Sequence, residues 1–588
     1  MANQATIITE HLDTWSSAIK AKSSAGRGNR KAQESYGIRK LRELILELGV
    51  SGLLVPRDPN DEPALSVLTD SKKSKELLAT KRKLRTDKAI YSSSDLFEIP
   101  ETWEWACIGS FCHVLGGKRV PRGYSLLGSP TDHAYIRVTD MKKGTVSEHD
   151  LKYIDNDIFE KISKYIINKE DVYVTIAGTI GAAGSIPELL DGMNLTENAA
   201  KLVFRDVNKD FLVKALGSVY VQDQFGAAVN QMAQPKLSLA SIKKTVVALP
   251  PLAEQRRIVA KVDELMALCD QLEQQKDDNE RVHGALVKTL LDDLTVECER
   301  GQFAQAWQRI ISHFDTLFTT ESSIDQLKQT ILQLAVMGKL VEQNPLDVPA
   351  TELIEEVATE KEKLLKAKQV RKQKALPAVT KKEVPFELPC TWRWCRIGDI
   401  SICTDYGLSD KSFATDTGVP VLAMGHIQSG KVLLGRQKRV PTSVESLPQL
   451  YLQDRDLLYN RTNSAELVGK TGIYRGADNE YTFASYLIRI RTLKDSALPE
   501  MLNLNMLTRR FRETQIIPHL KQQCGQANVN GTVLKSMLVA IPPKQEMSRI
   551  VAKVDELMVV CDRLKATIQS AQTTQLHLAD TLVEAAIH

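Results

Sequence analysis

The sequence predicts an α/β protein built twice: two small α/β domains in a pseudo-two-fold arrangement, separated by long helices that form an antiparallel coiled-coil spacer. Three observations predict it. The string Ile258-Val-Ala-Lys-Val-Asp-Glu-Leu-Met266 returns as Ile550-Val-Ala-Lys-Val-Asp-Glu-Leu-Met558. Each copy follows a Pro-Pro pair, Pro250-Pro251 and Pro542-Pro543, and proline suits the start of a helix but not its interior. Upstream of each pair lies a long segment in which the two halves diverge in identity while keeping a similar order of elements.

The spacer helices are predicted from the spacing of their apolar residues. Ile550, Val554, Leu557, Cys561 and Leu564 alternate steps of four and three, as do Ile258, Val262, Leu265, Cys269 and Leu272, the pattern of a coiled-coil seam. In the first helix the same phase then runs through polar Lys276, Asn279 and His283 before recovering at Leu286 and Leu290. That middle is expected to pack loosely or against a polar partner.

A helical region opens each half. Leu41-Arg-Glu-Leu-Ile-Leu-Glu-Leu-Gly-Val-Ser-Gly-Leu-Leu-Val55 is echoed by Leu327-Lys-Gln-Thr-Ile-Leu-Gln-Leu-Ala-Val-Met-Gly-Lys-Leu-Val341, and His11-Leu-Asp-Thr14 by His313-Phe-Asp-Thr316. The first half carries extra residues around Lys20 to Lys31, a Gly/Ser/Lys/Arg stretch that reads as a loop. The apolar faces of the two repeated helices, through Leu48 and Leu334, are expected to be exposed and to dock partners. A basic helix or linker follows, Lys72 to Arg85 and Lys361 to Lys374, read either as a solvated face or as a contact to phosphate or partner.

Both linkers end in one opening motif, Phe97-Glu-Ile-Pro-Glu-Thr-Trp-Glu-Trp105 and Phe386-Glu-Leu-Pro-Cys-Thr-Trp-Arg-Trp394, whose tryptophans read as domain-edge anchors. In the first variable segment Tyr135–Val138, Val172–Ile176 and Thr245–Leu249 read as strands, with a helix over Phe211–Val229. In the second, Val419–Met424, Asp456–Tyr459, Tyr486–Ile490 and Leu538–Ile541 are strands, with a helix over Pro499–Thr514. The expected boundaries are a helical region at 1–95, a variable domain at 96–250, a central repeated region at 251–384, a second variable domain at 385–543 and a closing helix at 544–588.

Composition bounds the chemistry. The 588 residues are too many for one core, and the net charge of +4 decides nothing by itself. No apolar run reaches the roughly 20 residues of a membrane helix, and Met1-Ala-Asn-Gln-Ala-Thr6 shows no secretory pattern, so a cytoplasmic protein is expected. The nine cysteines include no Cys-x-x-Cys pair and read as free thiols. Two near misses to a nucleotide loop, Gly425-His-Ile-Gln-Ser-Gly-Lys-Val432 and Ser464-Ala-Glu-Leu-Val-Gly-Lys-Thr471, each lack a required residue. The chain has no amino-methyltransferase Asn/Asp-Pro-Pro-Tyr/Phe, no metal-spaced histidine pair and no nucleophile constellation. Gly178-Thr-Ile-Gly-Ala-Ala-Gly184 has the wrong spacing for a dinucleotide loop; its glycines suit a tight turn or a backbone that approaches phosphate.

Polar clusters in the variable segments suit double-stranded DNA better. Lys118, Arg119, Arg122, Arg137, Lys142 and Lys143 in the first, and Arg436, Lys438, Arg439, Asn460, Arg461, Asn463, Lys521, Gln522 and Gln523 in the second, offer cations for phosphates. They also offer the Arg, Asn and Gln that pair with guanine or adenine edges. Two unlike readers on a repeated frame would read an asymmetric split sequence. The alternative is a structural scaffold that assembles a complex without sequence-specific DNA contact.

The opening Leu/Ile-Pro-x-Thr-Trp motif and the closing Pro250-Pro-Leu-Ala-Glu-Gln-Arg-Arg-Ile-Val-Ala-Lys-Val-Asp263 resemble the specificity subunit of type I restriction-modification systems. The second copy departs at Met547, where glutamine is usual. The resemblance implies two target recognition domains, each reading one half of a bipartite DNA site, on helices that dock two modification subunits. It implies that S-adenosylmethionine, ATP and magnesium are bound by partner modification and restriction subunits, and that this chain binds no cofactor and is not itself an enzyme.

Overall fold

A computed structural model of the chain describes residues 7–21, 33–82, 96–230, 235–295, 300–523 and 526–587. The extra stretch at 22–31 and the basic residues 83–85 lie outside them. The chain divides into two compact units, Met1–Asn279 with Ala571–His588, and Glu280–Ser570.

In the first unit helix Tyr36–Val50 places Ile38, Leu41, Ile45 and Leu48 on one buried stripe. The helix stops at Gly52, whose φ of +76° and whose approach to Pro100, 2.7 Å from an added Cβ, admit no side chain. In the second unit helix Glu321–Val336 is followed by Gly338, with φ +70° and Pro389 at 2.8 Å from an added Cβ. The same glycine therefore seats the proline of the opening motif in both units.

Helices Leu252–Thr295 and Lys544–Ile587 are 44 residues each and start just past the Pro-Pro pairs. The first half of each expected coiled-coil seam is used inside its own unit. Ile258, Val262, Leu265 and Cys269 are buried with Leu41, Leu44 and Leu48, and Leu272 packs at the margin; Arg42 pairs with Asp270 and Glu273 across the same contact. In the second unit Ile550, Val554 and Cys561 are buried with Leu327, Ile331 and Leu334, flanked by Leu557 and Leu564, with Lys328–Asp562 and Lys565–Asp325 alongside.

These contacts correct the expectation of exposed docking faces. Leu48 is 0% and Leu334 1% exposed, because the long helix of the same unit covers the apolar stripe of each repeated helix. What opens beside Leu44 instead is a cavity of about 1040 Å³ lined by Lys40, Glu43, Glu47, Arg57 and Tyr220. The far ends of the long helices complete each unit: Asp580 accepts from the Tyr36 hydroxyl at 2.7 Å in the first, and Val287, Leu291 and Leu294 join Ile310 and Ile324 in the core of the second.

Each variable domain is closed by its own ends. Glu104–Cys107 pairs antiparallel with Val246–Leu249, and Arg393–Arg396 with Leu538–Ile541. Between them the first domain has a four-stranded sheet in the order Ala183–Ser185, Val172–Thr175, Ala199–Val203, His113–Gly116. A second sheet runs Lys152–Ile154, His133–Ile136, Met193–Leu195, Ile166–Ile167, with its two central strands parallel. The second domain repeats both: Cys403–Tyr406, Leu487–Arg491, Leu457–Asn460, Thr471–Ile473, Gly430–Val432 and Ile427–Gln428 in one sheet, and Arg439–Val440, Val419–Leu422 and Thr482–Phe483 in the other, the last two again parallel.

The long helix expected in each variable domain is broken once. Ser218, buried and extended at ψ 152°, separates Lys209–Gly217 from Val219–Asn230. Thr508, at ψ 144°, separates Leu498–Leu507 from Arg509–Phe511, and its hydroxyl accepts from the Phe511 amide at 3.1 Å. A hydroxyl that restarts a helix as its N-cap replaces the backbone bonds lost at the break.

Candidate nucleic-acid interface

The opening and closing motifs meet beneath each variable domain. Trp103 donates its indole N–H to Glu254 at 3.0 Å, and Trp392 to Glu546 at 3.0 Å; all four side chains are buried. Arg257 pairs with Asp61, and Arg549 with Asp347, at the same place in each unit. Gln255 accepts from the Asn208 amide at 2.8 Å and donates to the Pro250 carbonyl at 2.9 Å. Met547 stands in its place in the second unit, fully buried as an apolar plug. Burial outweighs the indole bond at both carboxyls and holds their pKa above the ordinary value.

On this frame the second domain gathers two of its polar clusters. Leaving strand Leu457–Asn460, the chain enters Thr462–Asn463, which pairs with Gln526–Asn528, which pairs in turn with Lys521–Gln523. Arg461 and Lys521, sixty positions apart in the sequence, thus reach one small sheet. The Arg461 guanidinium donates to the Ser485 carbonyl at 2.9 Å and to Asn528 at 3.3 Å, and lies 4.9 Å over the ring of Tyr406. That ring is 46% exposed, and its hydroxyl accepts from the Gly531 amide at 2.6 Å. Asn463 is half-buried, with its amide against Met424 and its oxygen accepting from the Ser464 amide at 2.8 Å. Lys521 is exposed; the side chains of Gln522 and Gln523 lie outside the described residues.

Three of the expected contact residues make internal hydrogen bonds, and the first of them is fully enclosed. Asn460 is 0% exposed, and its amide points at the Leu467 carbonyl at 3.4 Å, so it holds the segment behind Arg461 and cannot touch a duplex. Arg439 donates to the Gly418 carbonyl at 2.7 Å. Arg137 forks onto Asp140 at 2.7 and 3.1 Å and onto the Asp150 carbonyl at 2.8 Å, closing the turn Val138–Asp140 where a straight strand was expected. Arg436 and Lys438 remain exposed on the loop before Arg439.

The first domain presents its cations from two places. Gly117 starts the loop of Lys118 and Arg119, and an added Cβ there would run into the Thr196 and Leu195 carbonyls. Gly407, after Tyr406, is equally confined by Phe483 and Ala484. Lys118 sits 5.8 Å over Tyr165, Arg119 pairs with Glu197 at 2.6 Å, and Arg122 is exposed. Lys142 and Lys143 stand exposed on the hairpin joining Met141–Lys142 to Thr145–Val146. Lys143 and Gly144 have φ of +51° and +74°, and Ser429 and Gly430 repeat this with +47° and +80°, the signature of a two-residue type I′ turn.

Tyr406 is not among the residues the sequence points to. The signal available was the confined glycine: an aromatic directly before a glycine that must approach backbone is held at a sheet end. Among the described residues no group of His, Cys, Asp and Glu is placed to hold a metal, and no helix is long and apolar enough to cross a membrane.

The profile of the family described as "Type I restriction modification DNA specificity domain" matches twice, at residues 100–280 and 389–571. The EcoEI specificity subunit of Escherichia coli is 35% identical over 99% of this chain and 99% of its own, and the EcoAI subunit 33% identical over the same shares. The EcoKI specificity subunit of E. coli K12 is 23% identical over 83% of this chain and 88% of its own. Two matched variable domains and relatives aligned over nearly their whole length place this chain in a family it belongs to plainly: the specificity subunits of type I restriction-modification systems, which recognise DNA and leave catalysis to other subunits.

Proposed function

We infer that each variable domain reads one half of an asymmetric, bipartite site in double-stranded DNA. The observation that carries this is the repeated frame with unlike rims: the same Trp–Glu latch and the same hairpin recur, while the segment holding Arg461 and Asn463 in one domain is a glycine loop in the other. Arg461, Asn463 and Lys521 in the second domain, and Lys118, Arg122, Lys142 and Lys143 in the first, are the groups offered to the duplex. Two modification subunits, which would carry S-adenosylmethionine, bind the repeated helical regions, and restriction subunits using ATP and magnesium join them in the cytoplasm. Selection from randomised duplex by the assembled complex tests it. Two unlike half-sites at a fixed gap are expected; recovery of a palindrome, or of no consensus, overturns the reading.

A further inference from the structure

Helix Ala350–Lys366 of the second unit ends with Lys368 in the left-handed region, φ +58°. The Lys368 and Gln369 amides turn back onto the Leu365 and Leu364 carbonyls at 3.0 and 2.9 Å. From there the chain runs without regular structure to the opening motif. Its residues 368–382 contain Lys368, Arg371, Lys372, Lys374, Lys381 and Lys382 and no acidic residue. All six are exposed, and among the described residues none forms an ion pair, unlike Lys363 and Lys366 on the preceding helix, which pair with Glu360 and Glu362.

This strap is fixed to the domain. Arg396, 5% exposed on the strand that opens the second variable domain, donates to the Pro377 carbonyl at 2.7 Å and to Glu383 at 2.9 Å. Glu383 also accepts from the Thr380 amide and hydroxyl at 3.0 and 2.8 Å. Arg396 and these two donors together drive its carboxyl down to about 2. Glu383, the acid that follows the strap in sequence, is therefore committed to the anchor, and among the described residues the six cations have no ion-pair partner. Leu376 packs over Gly398 beside Lys535, on the helix Gly531–Ser536, and Gly531 at the other end of that helix donates to Tyr406. One short helix thus separates the strap from the Arg461 face.

We propose that residues 368–382 bind the phosphates of duplex DNA without regard to its sequence, next to the second reading face; the proposal rests on the reading that this domain binds DNA. An extended chain advances at most about 3.6 Å per residue, so Arg371, Lys372 and Lys374 present three cations within roughly 11 Å. A duplex carries one phosphate charge per roughly 1.7 Å of axis and offers more than enough partners. Exposed lysines and arginines without acceptors of their own suit this contact, since they release counterions rather than break ion pairs.

The full chain, assembled with its modification partners, is titrated against the selected duplex and a scrambled duplex of equal length across a salt series. R371Q/K372Q/K374Q is expected to flatten the slope of log K against log salt by about 2.7, and K381Q/K382Q by about 1.8, at roughly 0.9 per cation. Both effects should be equal on the two duplexes, with thermal unfolding and the selected sequence unchanged. Wild-type slopes in both variants overturn the proposal. So does loss of assembly at an unchanged slope, which would assign the strap to an acidic protein surface. A wild-type complex that binds both duplexes equally sinks the half-site reading while the slopes still judge the strap, and one that binds neither sinks both.

Discussion

Between Val172–Thr175 and Ala183–Ser185 the first domain runs a short loop tied to one residue. The Gly181 amide reaches the Thr175 carbonyl at 2.9 Å and the Ala182 amide reaches the Thr175 hydroxyl at 2.9 Å. Between Leu457–Asn460 and Thr471–Ile473 the second domain runs a longer segment that carries Arg461 and Asn463 and adds a strand to the 521–528 hairpin. Beneath both, the Trp–Glu latch and the paired first and last strands are the same. The difference shows which parts can vary. A rim segment whose backbone bonds are satisfied locally is exchanged without disturbing the frame, whereas the latch joins residues from the two ends of the domain and holds any rim placed on it.

The largest effect is expected from breaking the latch. Trp392→Ala removes a large buried ring and leaves Glu546 without its indole donor; about 3–5 kcal/mol of stability should be lost. Hydrogen exchange should rise across Arg393–Arg396 and Leu538–Ile541 and stay near wild type across Glu104–Cys107, with Trp103→Ala giving the converse. Uniform acceleration in both domains by either variant would show that the latches are not local to their domains.

A smaller loss sharpens the contrast at the rim. Arg461→Ala should cost about 1–3 kcal/mol of discrimination at one base pair of one half-site, read by sequence selection with the assembled complex. Tyr406→Ala, which removes the ring under the guanidinium, should weaken the same base pair by about 0.5–2 kcal/mol. Asn460→Ala should act through folding instead, lowering stability without changing the sequence selected. If Asn460→Ala relaxed a base while Arg461→Ala did not, the face would be misplaced.

The repeat, the Pro-Pro helix starts, the anchoring tryptophans and the alternation of strands were legible because they are local or recur as strings. Burial of Leu48 and Leu334 was not: an amphipathic stripe looks the same whether a foreign subunit or the chain's own long helix covers it, and only the tertiary contact of Gly49 with Ile258 and Val262, 3.3 and 3.5 Å from an added Cβ, decides. Steps of three and four serve any helix pair, so the spacing of the seam residues does not reveal that the first half of each long helix also packs on the repeated helix of its own unit. Asn460 failed because the last residue of a buried strand reads in sequence like the first residue of a loop. Arg137 could have been read: an aspartate three positions on, at the end of a strand, is the partner that takes it.

The smallest effect separates the two latches by their hydrogen bonds. Glu546 accepts from Trp392 and Gln343, whereas Glu254 accepts from Trp103 and its other oxygen is buried with no partner among the described residues. Both carboxyls are held above their ordinary value of 4.5, by burial first. A folded carboxyl with a raised pKa binds its proton more tightly than the unfolded one. Its stabilisation is therefore complete below about the unfolded value and is lost as pH rises through the folded value. Replacing Glu254 by Gln removes that titration, so the change in melting temperature on going from pH 4.5 to 7 should shift in the favourable direction relative to wild type, whatever the variant's absolute stability. Glu546→Gln should shift it the same way by less, because two donors already offset the desolvation there. Equal shifts, or a shift of opposite sign in Glu254→Gln, would show that the unpartnered oxygen at Glu254 does not govern this difference.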